Sequence, residues 1–154
     1  MKYIFLLLIS LFTISCQSQK AMTTFETITF SRSPCRGFCP TYELTVQSNG
    51  QATLNGKRFY FSDKTKNQEA AVYNTTLDKE TLSKINETAE DFKNAILKEE
   101  YKDTKTDVSG FRINVKYKDG SEKKVYVYGS YNIEVIKKFF TELDILRDNQ
   151  NWKK

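Results

Sequence analysis

The fold is decided by the stretch Tyr42-Glu43-Leu44-Thr45-Val46-Gln47-Ser48-Asn49-Gly50. Apolar and polar residues alternate along its first half, which is typical of a strand with one buried face. Asn49-Gly50 is the strongest short signal of a tight hairpin turn, because both central residues of a type I′ turn need positive φ. The alternation resumes at Ala52 and Leu54, so the sequence predicts an antiparallel hairpin.

Alternating segments also lie on either side of this hairpin. Upstream, Ile28-Thr29-Phe30 predicts a strand, and a short strand is expected just after the hairpin over residues 58–61. Downstream, residues 111–117 alternate between apolar and polar, Asp119-Gly120 offers a turn, and residues 125–128 return as a strand. The sequence therefore predicts a second antiparallel hairpin.

Two further segments have helical periodicity. After Asp78, the apolar residues that share one helix face are Leu82, Ile85, Ala89, Phe92 and Ile96. Asp78 can cap this helix by accepting hydrogen bonds from amides of the first turn, with Leu77 and Leu82 as a hydrophobic staple. A second amphipathic helix is predicted from Asn132, with apolar positions at Ile133, Ile136, Phe140 and Leu143. Residues 62–76 have little pattern and predict a surface loop.

The order of these segments favours the α+β class. Its 154 residues suit a single domain. Short hairpin links without alternating strand–helix crossovers predict an antiparallel sheet built from hairpins, with two helices packed on one face. We expect this domain to span residues 25–147, followed by a polar C-terminal tail over residues 148–154.

The N-terminus predicts export. Residues 1–15 combine Lys2 with an apolar run that ends at small residues, as a signal peptide does. The segment Phe12-Thr13-Ile14-Ser15-Cys16 resembles a bacterial lipobox. The resemblance implies cleavage before Cys16, a lipid on Cys16 that anchors the protein to a membrane, and a polar tether over residues 16–24. An ordinary secretory cleavage is the alternative.

The expected location follows from the same segment. The residue after the cysteine is Gln17. An Asp at this position would be similar to an inner-membrane retention signal, and this chain does not have one there. The resemblance therefore implies a bacterial cell-envelope lipoprotein, in the outer membrane and facing the periplasm.

The pair Cys35 and Cys39 is the main chemical feature of the chain. In an oxidising compartment a disulfide is the default expectation, and Gly37 would let the short intervening backbone turn tightly. A thiol-dependent redox or covalent enzyme is the alternative, because a cation such as Arg36 favours the reactive thiolate. The chain contains no His, so no imidazole base can assist the thiol, and two thiolates alone suit no usual zinc site.

The run Cys35-Arg36-Gly37-Phe38-Cys39-Pro40-Thr41-Tyr42 resembles the motif of an uncharacterised bacterial family, domain of unknown function 6438. Both cysteines match the motif, as do the turn residues Gly37 and Pro40 and the aromatic Tyr42. A central helix, Asp107 before a hairpin and a closing helix are similar as well. The resemblance covers residues 25–147 and implies an exported or lipid-anchored protein. It implies no activity.

Charge suggests a possible partner surface. The chain has 24 Lys and Arg against 19 Asp and Glu, a net charge of +5. Basic residues concentrate on the second predicted hairpin at Arg112, Lys116, Lys118, Lys123 and Lys124. For an exported protein these favour an anionic envelope polymer or envelope protein over nucleic acid. The alternative is an edge hairpin whose lysines discourage aggregation.

Enzyme signatures are missing from the sequence. The paired carboxylates occur in no recognisable acid–base frame, and we assign no catalytic residue, metal or cofactor. The sequence therefore favours a binding or structural module of the envelope, with the thiol enzyme as the alternative.

Overall fold

The computed structural model describes residues 23–58, 60–62, 70–104 and 107–154. The predicted signal peptide, Cys16 and most of the tether lie outside these ranges. The elements in chain order are β1 (Phe25–Arg32), β2 (Thr41–Gln47), β3 (Gln51–Arg58), β4 (Ala71–Thr76), α1 (Lys79–Asn94), β5 (Glu100–Lys102), β6 (Gly110–Tyr117), β7 (Glu122–Tyr128) and α2 (Glu134–Asn149).

The strands form one seven-stranded sheet in the order β4-β3-β2-β1-β6-β7-β5. Neighbouring strands are antiparallel except β5, which pairs in parallel with β7. Alternate residues of the sheet join the buried faces of α1 and α2 in one apolar core. The predicted α+β class and hairpin-built sheet are confirmed.

Both predicted hairpins are present. In the first, Gly50 has φ 88°, and the Asn49 side chain accepts a hydrogen bond from the Gln51 amide at 2.9 Å. In the second, Gly120 has φ 84° between β6 and β7. Asn49 does not have positive φ, so the prediction of a type I′ turn is wrong, although the Gly in each turn is explained by its access to positive φ without the steric cost of a Cβ.

Helix α1 begins as predicted but ends earlier. Asp78 Oδ1 accepts from the Thr81 amide at 2.8 Å, and the staple residues Leu77 and Leu82 are buried. The prediction that Ile96 extends the buried face is wrong, because the backbone is already extended at Ala95 and Ile96 is fully exposed. Helix α2 starts two residues after the expected Asn132.

Two boundary predictions between the first hairpin and α1 are wrong. Strand β3 ends at Arg58, and Tyr60 packs its ring over Gly56, where a Cβ would lie 2.6 Å from the ring carbons. The expected loop 62–76 contains the edge strand β4. Only Tyr73 of that strand is buried. The outward-facing Val72 is apolar and the inward-facing Thr75 is polar, so the sequence lacks the alternation that predicts strands.

The C-terminal segment is attached to the domain. Helix α2 continues to Asn149, into the segment expected to be a polar tail. Trp152 Nε1 then donates to the Arg147 carbonyl at 2.9 Å. Lys153 and Asn74 exchange two backbone hydrogen bonds of 2.8 and 3.0 Å. Residues 151–154 therefore extend along the outer edge of β4.

Candidate functional site

The motif segment forms a covalently closed loop between β1 and β2. Cys35 and Cys39 are joined by a disulfide, with 5.6 Å between their Cα atoms. Inside it, Gly37 has φ 143° and donates its amide to the Cys35 carbonyl at 3.0 Å. A backbone of this kind favours Gly, which explains the residue at the centre of the motif.

The loop is fixed to β6 at its N-terminal side. The Ser33 amide donates to the Gly110 carbonyl, and the Gly110 amide donates to Ser33 Oγ, both at 2.9 Å. Ser109 Oγ donates to the Ser33 carbonyl at 2.9 Å. A Cβ at Gly110 would lie 2.8 Å from the Val127 carbonyl oxygen. Close backbone approach at Gly110 therefore seats the base of the loop on the sheet.

The tip of the loop presents an aromatic ring and a cation. Phe38 is 84% exposed. The Arg36 side chain is 85% exposed, and its Nη1 contacts the Asp107 carboxylate at 3.4 Å. Asp107 itself has φ 62°, an uncommon conformation for a non-Gly residue. Arg36 thus bridges the disulfide loop and the segment before β6.

Tyr42, the last residue of the motif, is buried, unlike the exposed residues at the tip of the loop. Its ring is buried on the helix side of the sheet, and its hydroxyl donates to Asp144 of α2. Burial, together with the adjacent Asp144 carboxylate, raises the pKa of Tyr42 far above its usual range. The hydroxyl therefore stays protonated and connects β2 to α2.

Asp144 is the centre of a half-buried charge network. It accepts from Arg32 of β1 at 3.2 Å and from Arg147 of α2 at 3.3 Å, in addition to Tyr42. Arg147 also donates to Asp148 at 2.8 Å and to Ser62 Oγ at 2.7 Å, and it is 5.5 Å from the Tyr42 ring centroid. Because each cation of this network has a carboxylate partner, the cluster supports the fold beneath the motif.

The pKa of Asp148 is set by its contacts within this network. Burial opposes ionisation of its carboxyl, but hydrogen bonds from Arg147 and Ser62 outweigh that effect and lower the pKa of Asp148. Sequence analysis missed this network. The only signal was the placement of Asp144 and Arg147 beside the apolar positions Leu143 and Leu146 of one helix.

The predicted basic surface is only partly assembled. Arg112, Lys116 and Lys124 lie on the sheet face opposite the helices, which we call the outer face, and Lys118 is exposed in the following turn. Arg112 stacks over the Tyr126 ring at 5.4 Å, and Lys124 pairs with Glu122 at 2.8 Å. The carboxylate of Glu122 reduces the net charge of this surface.

Lys123 does not belong to that surface. It lies on the helix side of β7, where its ammonium donates to the carbonyls of Lys93 and Ala95 at the end of α1 and lies 5.6 Å from the Phe92 ring centroid. Burial lowers the pKa of Lys123. Placing Lys123 among outward-facing lysines is therefore wrong. Its neighbours in the strand give the reason, since Val125 and Val127 of the same parity face the core.

Neither helix in the described ranges is long and apolar enough to cross a membrane. The same residues contain no group of three Cys, Asp or Glu side chains placed to hold a metal ion. The arrangement therefore consists of an exposed, cross-linked loop on a network of half-buried charges.

Comparison with known proteins agrees with the resemblance carried by the motif. No curated protein matches the chain. The sequence does match one family over residues 26–147, which include the disulfide loop, the sheet except Phe25 of β1, and α2 as far as Arg147. The chain therefore belongs to the domain of unknown function family DUF6438.

Proposed function

We propose that this protein is a lipid-anchored protein of the bacterial cell envelope that recognises another envelope protein through its disulfide loop. The anchor is the lipid on Cys16, in the outer membrane and facing the periplasm. The observation that carries the proposal is the 84% exposure of Phe38 at the tip of a covalently closed loop. In this role the motif is a recognition site and not a catalytic one.

The loop has the properties of a binding element. Aromatic and Arg side chains contribute most to the energy of protein interfaces, and the loop exposes one of each in Phe38 and Arg36. A disulfide, together with the hydrogen bonds of Ser33 to Gly110, reduces the conformational entropy lost on binding. The partner that fits is a protein with an apolar pocket beside a carboxylate.

Chain direction supports this assignment. The tether enters β1 at Phe25 and the loop follows Arg32, so the two lie at opposite ends of one strand. Eight residues of strand separate those ends by about 23 Å. The tether and the loop therefore leave the domain at opposite ends of β1.

Photo-cross-linking in intact cells tests the recognition role. A photoreactive amino acid at position 38 is expected to give a discrete protein adduct, whereas the same group at Ile96, which is fully exposed on a different loop, is expected to give none. Arg36→Glu should abolish the adduct and leave the free energy of unfolding within about 0.5 kcal/mol, because exposed substitutions cost little. Equal adducts from both positions, or an adduct unaffected by Arg36→Glu, would argue against the proposal.

The anchor and the disulfide are tested by differential alkylation and mass spectrometry of protein taken from native membranes. We expect lipid on Cys16 and a fully oxidised pair Cys35–Cys39. The thiol-enzyme alternative requires a reducible pair, and in the structure both sulfurs are bonded while Arg36 contacts Asp107. A substantial free-thiol fraction at Cys35 or Cys39 would favour that enzyme. An unmodified Cys16 would remove the lipid anchor without affecting the loop.

A further inference from the structure

The outer face of the sheet has a continuous row of polar side chains. Directly opposite residues on neighbouring antiparallel strands point to the same side, so the pairing register fixes which residues form a line. One such line, which we call the polar row, consists of Lys153, Asn74, Thr53, Thr45, Thr29, Asn114 and Lys124. With about 4.8 Å between strands the row is about 29 Å long. It has hydroxyls and amides in the middle and an ammonium at each end.

A groove of about 800 Å³ lies at the β4 end of the polar row. Its floor is the outer part of β2, β3 and β4, and its wall is the segment 151–154 held by Lys153 and Trp152. The described residues that line it are Gln47, Gln51, Ala52, Thr53, Asn74, Thr75, Thr76, Asn151, Lys153 and Lys154. This lining has amides, hydroxyls and ammonium groups, and no carboxylate side chain.

The other half of the row has an unfulfilled acceptor. The Asn114 Oδ1 atom is buried and has no hydrogen-bond partner within the described part of the chain. Buried polar atoms are nearly always hydrogen-bonded in folded proteins, to protein or to water. Because this oxygen is itself inaccessible to solvent, a ligand hydroxyl can reach it only after the Asn114 side chain turns toward the outer face.

We propose that the outer face binds an extended anionic glycan along the polar row. Hydroxyl and amide side chains are the groups that hydrogen-bond to sugar hydroxyls and acetamides, and the strand spacing is comparable to the length of a pyranose ring. Lys153 and Lys124 stand at the two ends, where they match carboxylates spaced along the glycan, and at one end the ligand shares the Lys124 ammonium with Glu122, which lies 2.8 Å from it. This site is separate from the disulfide loop and does not depend on it.

The chemistry of the row distinguishes this ligand from other polymers. A protein partner needs an apolar core in its interface, and the row contains no apolar residue. A nucleic acid has a phosphate at every nucleotide and is bound by closely spaced cations with aromatic platforms. Here the two cations are separated by five neutral side chains. Widely spaced charge on a hydroxylated chain fits a glycan with carboxylates on some of its sugars.

The test measures binding of the full-length protein in detergent to soluble, peptide-free glycan strands of N-acetylated amino sugars that carry lactyl carboxylates. Chitin oligosaccharide is the neutral comparison. Lys153→Gln combined with Lys124→Gln is expected to weaken Kd by about tenfold or more, since charge-assisted hydrogen bonds are the strong ones. Thr45→Val should weaken binding several-fold without disturbing the strand. Lys98→Gln, at an exposed position off the row, should change nothing.

The outcomes separate the two proposals. Phe38→Ala should leave glycan binding intact, so that a failure of loop recognition and a failure of the glycan site give different results. Absence of binding, equal loss in Lys98→Gln, or equal affinity for the neutral oligosaccharide would overturn the anionic-glycan assignment. Cross-links from Thr45 to proteins but not to glycan would also overturn it.

Discussion

Asp144→Ala is expected to lower the free energy of unfolding by about 2–3 kcal/mol, because hydrogen bonds to charged groups contribute more than neutral ones. Asp144 accepts from Arg32, Arg147 and the Tyr42 hydroxyl. Arg147 keeps Asp148 at 2.8 Å in the variant, so the charge left without a carboxylate is that of the half-buried Arg32. Equilibrium unfolding in urea measures the change.

The matched control is Tyr42→Phe, which removes one hydrogen bond and retains the ring. Its expected cost is about 1–2 kcal/mol, because the Asp144 carboxylate keeps both arginines. The double variant should lose less free energy of unfolding than the two single variants lose together, since both substitutions remove interactions of the same Asp144 carboxylate. An Asp144→Ala variant within about 1 kcal/mol of the parent protein would show that the network contributes little.

Strands whose neighbours lie on both sides could be predicted from the sequence. Along β6, Phe111, Ile113, Val115 and Tyr117 are buried and the residues between them are not, which produces the alternation that indicates a strand. Edge strand β4 could not be predicted, because its outward-facing Val72 is apolar and its inward-facing Thr75 is polar. Burial alternates along this strand, but the polarity of its residues does not.

The charged residues were harder to place than the apolar ones. Arg32 and Asp144 are 112 positions apart, and nothing in either local segment indicates that they meet. Lys123 and Lys124 are adjacent in sequence but lie on opposite faces of β7. Charge patterns predict a surface only after the strand register is known, because each step along a strand reverses the side-chain direction.

The disulfide loop, unlike the charged residues, could be predicted from local sequence. Its pairing and its turn followed from two cysteines separated by three residues, with Gly37 in the middle. The exposure of its tip did not, because Phe38 in the motif is as apolar as a core residue. Only the structure distinguishes the exposed Phe38 from the buried Phe30.

Phe30→Ala and Phe38→Ala make the same chemical change at these two positions and should give opposite results. Phe30 is fully buried and its ring contacts those of Tyr42, Phe111 and Phe140, with centroids 5.6–6.1 Å apart. Removing it leaves a cavity under the motif and is expected to cost about 3–5 kcal/mol of the free energy of unfolding. Phe38→Ala is expected to change it by less than about 0.5 kcal/mol.

Urea unfolding of both variants gives the comparison. A large stability loss in Phe38→Ala would mean that the ring packs against the domain in solution and would remove the argument that it is exposed for a partner. A small loss in Phe30→Ala would mean that the core collapses to fill the cavity. If both expectations hold, Phe30 maintains the core beneath the motif, and the exposed Phe38 contributes little to the stability of the fold, as the recognition proposal requires.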